Sequence, residues 1–130
     1  MADVKVVVFD TSALILSALE GIDAVESVKG LLNSLIIPTV TVSVIRELWR
    51  IAKQGGLRGR AALSALRQIY GRYSIAMLDG EADEDTLRLA LREGGLLVTC
   101  DMELKRRAES MGVPVVYFRE SSRRFEADEQ

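Results

Sequence analysis

The 130-residue chain contains no histidine, and its one cysteine is Cys100. The first absence removes Ser-His-Asp and Cys-His catalysis, imidazole metal ligation and histidine acid-base chemistry. The second excludes an intramolecular disulfide and a multi-cysteine zinc site, and it fits a reducing, intracellular setting. Aromatic residues make up only 5% of the chain; base stacking on this protein would rest on few side chains, with Tyr73, Tyr117 and Phe118 the candidates, the last two equally readable as core. No apolar run approaches the ~20 residues needed to cross a bilayer. No apolar core follows a basic start at the N-terminus, so the expected location is cytoplasmic, with no membrane partner. Charge of neither sign dominates, the formal net being -2, so any nucleic-acid surface must be a local patch.

What the chain does have is 48% hydrophobic residues, enough for one full core in a single domain over residues 1–119, with 120–130 read as a polar tail. Short β-branched runs alternate with helical patterns, which is the signature of an α/β protein with a mainly parallel sheet. The runs "KVVVFD", "SIAML", "LLVTCD" and "PVVYF" read as strands buried on both faces. A fifth, "LIIPTV", is expected to be short because Pro38 removes an amide donor. Helices are expected over about 12–19, 23–34, 42–54, 58–70, 81–93 and 103–111. Glycines at 55–56, 94–95 and 112 stand where helix C-terminal caps belong.

Two of the strands end in a carboxylate, Asp10 and Asp101. Ligand sites of open parallel sheets lie just beyond the carboxyl ends of strands, so these acids are site candidates if their strands are neighbours. Each is also an ordinary helix N-cap residue. In the helix of "DEDTLRLALREGG", a helical wheel puts Asp83 in line with Leu87 and Ala90 on the buried face, and Asp85 among Arg88 and Arg92 on the solvent side. In "VSVIRELWRIAKQ", Glu47 lies at the edge of the apolar stripe, at a rim that suits a cleft or a salt bridge to Arg46 or Arg50. Trp49 also sits at that stripe's edge, as a core residue or as a partly exposed subunit contact. Carboxylates sharing a small site repel one another, so such a cluster is expected to hold a cation. All-oxygen ligation selects Mg²⁺ or Mn²⁺.

Taken in order, "FDTSAL", "VIREL", "ADEDTLRLA" and "LLVTCDMELKRRAESMGVPVVYF" resemble the motifs of PIN-domain ribonucleases. The resemblance spans nearly the whole chain, and the last segment is most similar to the small rRNA-processing branch, with VapC-type toxins as the related branch. It implies a three-layer α/β/α sandwich around a mainly parallel sheet of four to five strands. It implies a divalent-metal-dependent endoribonuclease in which Asp10, Glu47, Asp83 and Asp101 are the metal-site and catalytic acids. By the same resemblance Ser12 orients Asp10 or a water, Thr99 supports Asp101, and Glu103 is an auxiliary acid. The ion would acidify water and offset the charge growing on phosphorus, a chemistry that needs no histidine.

Basic residues that would track an RNA backbone group at Arg58 and Arg60, at Lys105, Arg106 and Arg107, and at Arg119, Arg123 and Arg124. The family favours homodimers, and the toxin branch would add an antitoxin partner. A dehalogenase-like phosphatase is disfavoured because Ser12 stands where it needs a second Asp. A receiver-type phosphoacceptor would need paired acids before the first helix and a lysine after a late strand, and neither pattern is clear. A PIN-like scaffold that binds RNA or a ribosome-assembly partner without cutting is the non-enzymatic alternative.

Overall fold

Each of the five apolar runs forms a strand in the computed structural model, which describes residues 4–119 and 121–127. The strands are β1 (Val4–Phe9), β2 (Leu35–Thr41), β3 (Ser74–Ala76), β4 (Leu96–Thr99) and β5 (Val115–Arg119). Between them lie α1 (Thr11–Glu20), α2 (Ala24–Leu32), α3 (Val42–Gln54), α4 (Gly56–Ile69), α5 (Ala82–Glu93) and α6 (Met102–Ser110). A sixth strand, β6 (Arg124–Ala127), follows β5.

The sheet order is β3-β2-β1-β4-β5-β6, parallel throughout except for the antiparallel β5–β6 pair. The chain therefore builds outward from β1 in one direction, returns to β4, and builds outward in the other. That reversal puts β1 and β4 side by side, with Phe9 opposite Val98. The crevice beyond their carboxyl ends is where a parallel sheet opens to a ligand.

Strand residues alternate between two cores. Val7, Phe9, Val40, Val98, Val116 and Phe118 face the side covered by α1 to α4, through Leu14, Val28, Leu48 and Ala62 among others. Val8, Leu97 and Val115 face the side covered by α5 and α6, through Leu87, Leu89, Ala90, Leu104 and Ala108. Helices on both faces explain why the strands read as continuous apolar runs. The result is a three-layer α/β/α sandwich, as the motifs imply.

The glycine pair after α5 serves two purposes. Gly94 caps the helix in the left-handed region at φ 61°. Gly95 lets the chain pass β1, since a Cβ there would lie 2.4 Å from the Val6 carbonyl oxygen.

Two sequence expectations are corrected. Pro38 does not shorten β2, which runs through it: β3 pairs with β2 only from Thr39 onward, so residue 38 has a strand neighbour on one side alone. The segment read as a polar tail contains β6, held by Phe125, whose ring packs edge-to-face on Phe118 at 5.1 Å. A single aromatic in a charged stretch is a weak sequence signal, but burying it on a sheet edge is enough to pair the strand. Among the described residues, no helix is long and apolar enough to cross a membrane.

Candidate functional site: an acidic cleft at the ends of β1 and β4

Asp10 follows β1 and is only 3% exposed. It is the N-cap of α1, Oδ1 accepting the Ala13 N–H at 2.8 Å. Ser12 Oγ lies 2.9 and 3.0 Å from its two oxygens, and Thr99 Oγ1 donates to Oδ2 at 2.5 Å. Burial pushes the carboxyl up to about 7, against the pull of the donors from Thr99, Ala13 and Ser12, and the charge of Asp83 adds to the rise. A carboxylate kept this dry with three donors around it is positioned by the fold, not by solvent.

Asp101, at the matching end of β4, caps α6 by accepting the N–H groups of Glu103 and Leu104 at 2.9 and 3.2 Å. The two strand ends are tied together. Ser12 Oγ accepts the Cys100 N–H at 3.0 Å, and Thr99 Oγ1 accepts the Asp101 N–H at 3.0 Å while donating to Asp10. Both acids therefore cap helices and face one crevice.

Glu47 on α3 and Asp83 on the first turn of α5 are half-buried, and both line that crevice. The cleft has a volume of 360 Å³ and is lined by Asp10, Thr11, Ser12, Glu47, Arg50, Ile51, Gln54, Arg58, Asp83 and Asp101. Asp83 is raised by burial and then by the charges of Glu81, Asp101 and Glu47, with Arg107 pulling it back. The acids thus sense one another electrostatically. Among the described residues, no three acidic or cysteine side chains already stand at metal-liganding distance. As a donor set, though, they are all oxygen.

The helical wheel misplaces Asp85, which is 5% exposed. Its Oδ2 accepts the Gly80 N–H at 2.7 Å, so its carboxylate folds back over the loop before α5 instead of pairing with arginines. A wheel assigns faces relative to one packed surface and misses a side chain buried under its own N-terminal loop.

Of the basic candidates, Arg58 lines the cleft. Arg60 is exposed and does not. Arg107 pairs with Glu84, beside Asp83. Lys105 is drawn to Glu109 at 3.2 Å and lies over the Tyr117 ring at 5.7 Å. Arg106 is exposed on α6, as is Glu103, which is not among the cleft residues. Arg119 pairs with Glu126, and Arg123 with Glu20. Of the aromatic candidates, Tyr73 is buried edge-to-face on Phe9 at 5.3 Å, and Phe118 is core.

The sequence reading did not select Thr11, Arg50 or Gln54 for the cleft. The signal for the last two was present: positions 47, 50 and 54 share one helical face. Thr11 Oγ1 is buried with no hydrogen-bond partner among the described residues, in the wall of the cleft.

A family model described as a PIN like domain matches residues 7–121. The chain belongs to that family. A relative named "Ribonuclease VapC9", of Archaeoglobus fulgidus, is 31% identical over 124 residues, spanning 94% of this chain and 89% of that protein. The fold is shared with the PIN domain endonuclease Utp24, at a TM-score of 0.78 and 21% identity, covering 96% of this chain and 92% of the other. VapBC2 from Rickettsia felis, solved bound to a promoter DNA fragment, matches at a TM-score of 0.63 and 15% identity, over 86% of this chain and 98% of the other.

Proposed function

We propose that this PIN-like protein is a divalent-metal-dependent endoribonuclease, with Asp10, Glu47, Asp83 and Asp101 as the acids that hold Mg²⁺ or Mn²⁺. The observation that carries the reading is the single cleft those side chains share, in a chain with no histidine. The donor set fits a hard ion, because the charges of Asp101 and Glu47 help raise Asp83 and that of Asp83 helps raise Asp10, a repulsion that a doubly charged cation would relieve. When bound, the ion supplies acidification of water and neutralisation of phosphate charge.

The chain's own residues do the rest. Thr99 and Ser12 aim the Asp10 carboxylate, and the Thr99 hydroxyl ties Asp101 to the same point. Arg58 and Arg50, on the cleft wall, attract the phosphodiester and offset the acids' repulsion of it. The test is cleavage of a structured RNA with Mn²⁺. Asp10→Asn and Asp101→Asn are expected to lose cleavage to background while remaining folded. Wild-type turnover by the Asp10 variant, in a preparation free of contaminating nuclease, would refute the assignment.

For biological setting, the segment "TCDMELKRRAESMGVPVVY" supports a role in rRNA processing, with pre-rRNA as substrate. The sequence identity to a VapC ribonuclease favours a second reading, a toxin ribonuclease held by an antitoxin. An antitoxin-like gene beside this one decides for the toxin; copurification with pre-ribosomes decides for processing. A scaffold that binds RNA without cutting predicts no metal-dependent cleavage by any preparation.

A further inference from the structure

Trp49, the chain's one tryptophan, is 50% exposed on α3, although the balance of its helical position favours core. It lies in a groove of 470 Å³ lined by Val42, Ile45, Arg46, Trp49, Arg50 and Lys53. The size is that of a small-ligand pocket, about 300–1,000 Å³. Positions 42, 45, 46, 49 and 53 recur at three- and four-residue steps, so they form one continuous helix face with the indole between an apolar turn and cations.

Among the described residues, no acidic side chain lines this groove. Arg46 is held in place by a two-point pair with Asp79, at 2.9 and 2.5 Å. Among the described residues, Arg50 and Lys53 enter no ion pair. Arg50 lines this groove and the acidic cleft alike, so the two adjoin at one residue.

We propose that the α3 groove is a single-strand RNA subsite, in which a nucleobase stacks on Trp49 while Arg50 and Lys53 take the flanking phosphates and lead the strand to the acidic cleft. The proposal rests on the ribonuclease reading for its choice of RNA. An exposed aromatic beside unpaired cations is the construction by which proteins hold single strands without reading sequence. Charge complementarity favours a polyanion over a second copy of this chain, because a symmetric contact through this face would set Arg50 and Lys53 against their own copies.

The test uses the full chain and a single-stranded oligouridylate of about 12 nucleotides, in EDTA so that binding is separated from cleavage. Because the chain has one tryptophan, its emission reports on this groove alone. RNA is expected to quench it. Trp49→Ala should weaken binding about tenfold, and Trp49→Phe much less, since a smaller ring still stacks. Unchanged emission on RNA binding, or equal affinity of Trp49→Ala and wild type, would overturn the subsite. So would a wild-type dimer that Trp49→Ala makes monomeric without loss of RNA affinity, which would assign the face to self-association. Quenching without cleavage in Mn²⁺ leaves the subsite standing and removes the nuclease; cleavage with a silent Trp49 does the reverse.

Discussion

The Thr99 hydroxyl reaches 2.5 Å from Asp10 Oδ2, joining the ends of two neighbouring strands that lie 89 residues apart in sequence. The bond stabilises the ionised carboxylate against the burial that pushes it up to about 7. Thr99→Val keeps the shape and removes the donor. Asp10 should then titrate higher still, and the Asp101 N–H loses its acceptor, for a combined cost of about 1–3 kcal/mol. The loss should be larger at pH 8, where Asp10 is charged, than at pH 5. Denaturant unfolding at both values checks this, and a cost independent of pH would point to packing alone.

Asp10 itself should make the metal-free fold weaker as pH rises. Its folded value, about 7, lies above the ordinary 3.8, so between these the folded state holds a proton that the unfolded state has released. Stability attributable to this group therefore falls with increasing pH across that window and is constant above it. Asp10→Asn removes the penalty, and thermal melts without metal should show the variant more stable by about 1–3 kcal/mol at pH 8. The gap should close toward pH 4.

Divalent ion should offset that difference. Mn²⁺ at about 100 times its dissociation constant is expected to stabilise the wild type by about 2.7 kcal/mol. Asp10→Asn, lacking one of the acids, should gain little. Calorimetric titration of both proteins measures the affinity directly, and equal heats would remove Asp10 from the ligand set.

Asp85 predicts a separation between stability and activity. Asp85→Ala leaves the Gly80 N–H without its 2.7 Å acceptor and should cost about 1–3 kcal/mol of fold stability. RNA cleavage well below the melting temperature should survive, since this carboxylate turns away from the cleft. Cleavage lost in a folded Asp85→Ala would place it in the site after all.

Arg58 and Arg60 stand two positions apart, and only Arg58 lines the cleft. Arg58→Ala should lower the salt dependence of RNA binding by about one phosphate contact, and Arg60→Ala should leave it unchanged. Equal slopes in the two variants would move the backbone track away from the cleft wall.

Much of the architecture was legible in advance because it is periodic. Five strands and six helices follow from β-branched runs, helical spacing and terminal glycines, each a local signal read within a few turns of chain. Where the reading went astray, the cause was a neighbour. Pro38 sits mid-strand because β3 starts one residue later. Phe125 makes a strand of a charged tail because Phe118 is there to receive it. Asp85 is buried by the loop it holds.

The site divides the same way. Sequence alone determined which chemistry was open to this protein: with no imidazole and one thiol, any chemistry was left to carboxylates, hydroxyls and lysines, and the place of the carboxylates at strand ends and on an inward helix face is written in local pattern. Only the tertiary structure decided that β1 and β4 are adjacent, and therefore that Asp10 is dry, that Thr99 reaches it, and that Arg50 stands between the acidic cleft and Trp49. Local pattern fixes the direction a side chain leaves its own element; which groups then share a space, and at what proton affinity, depends on strand order, and no short window of sequence encodes that.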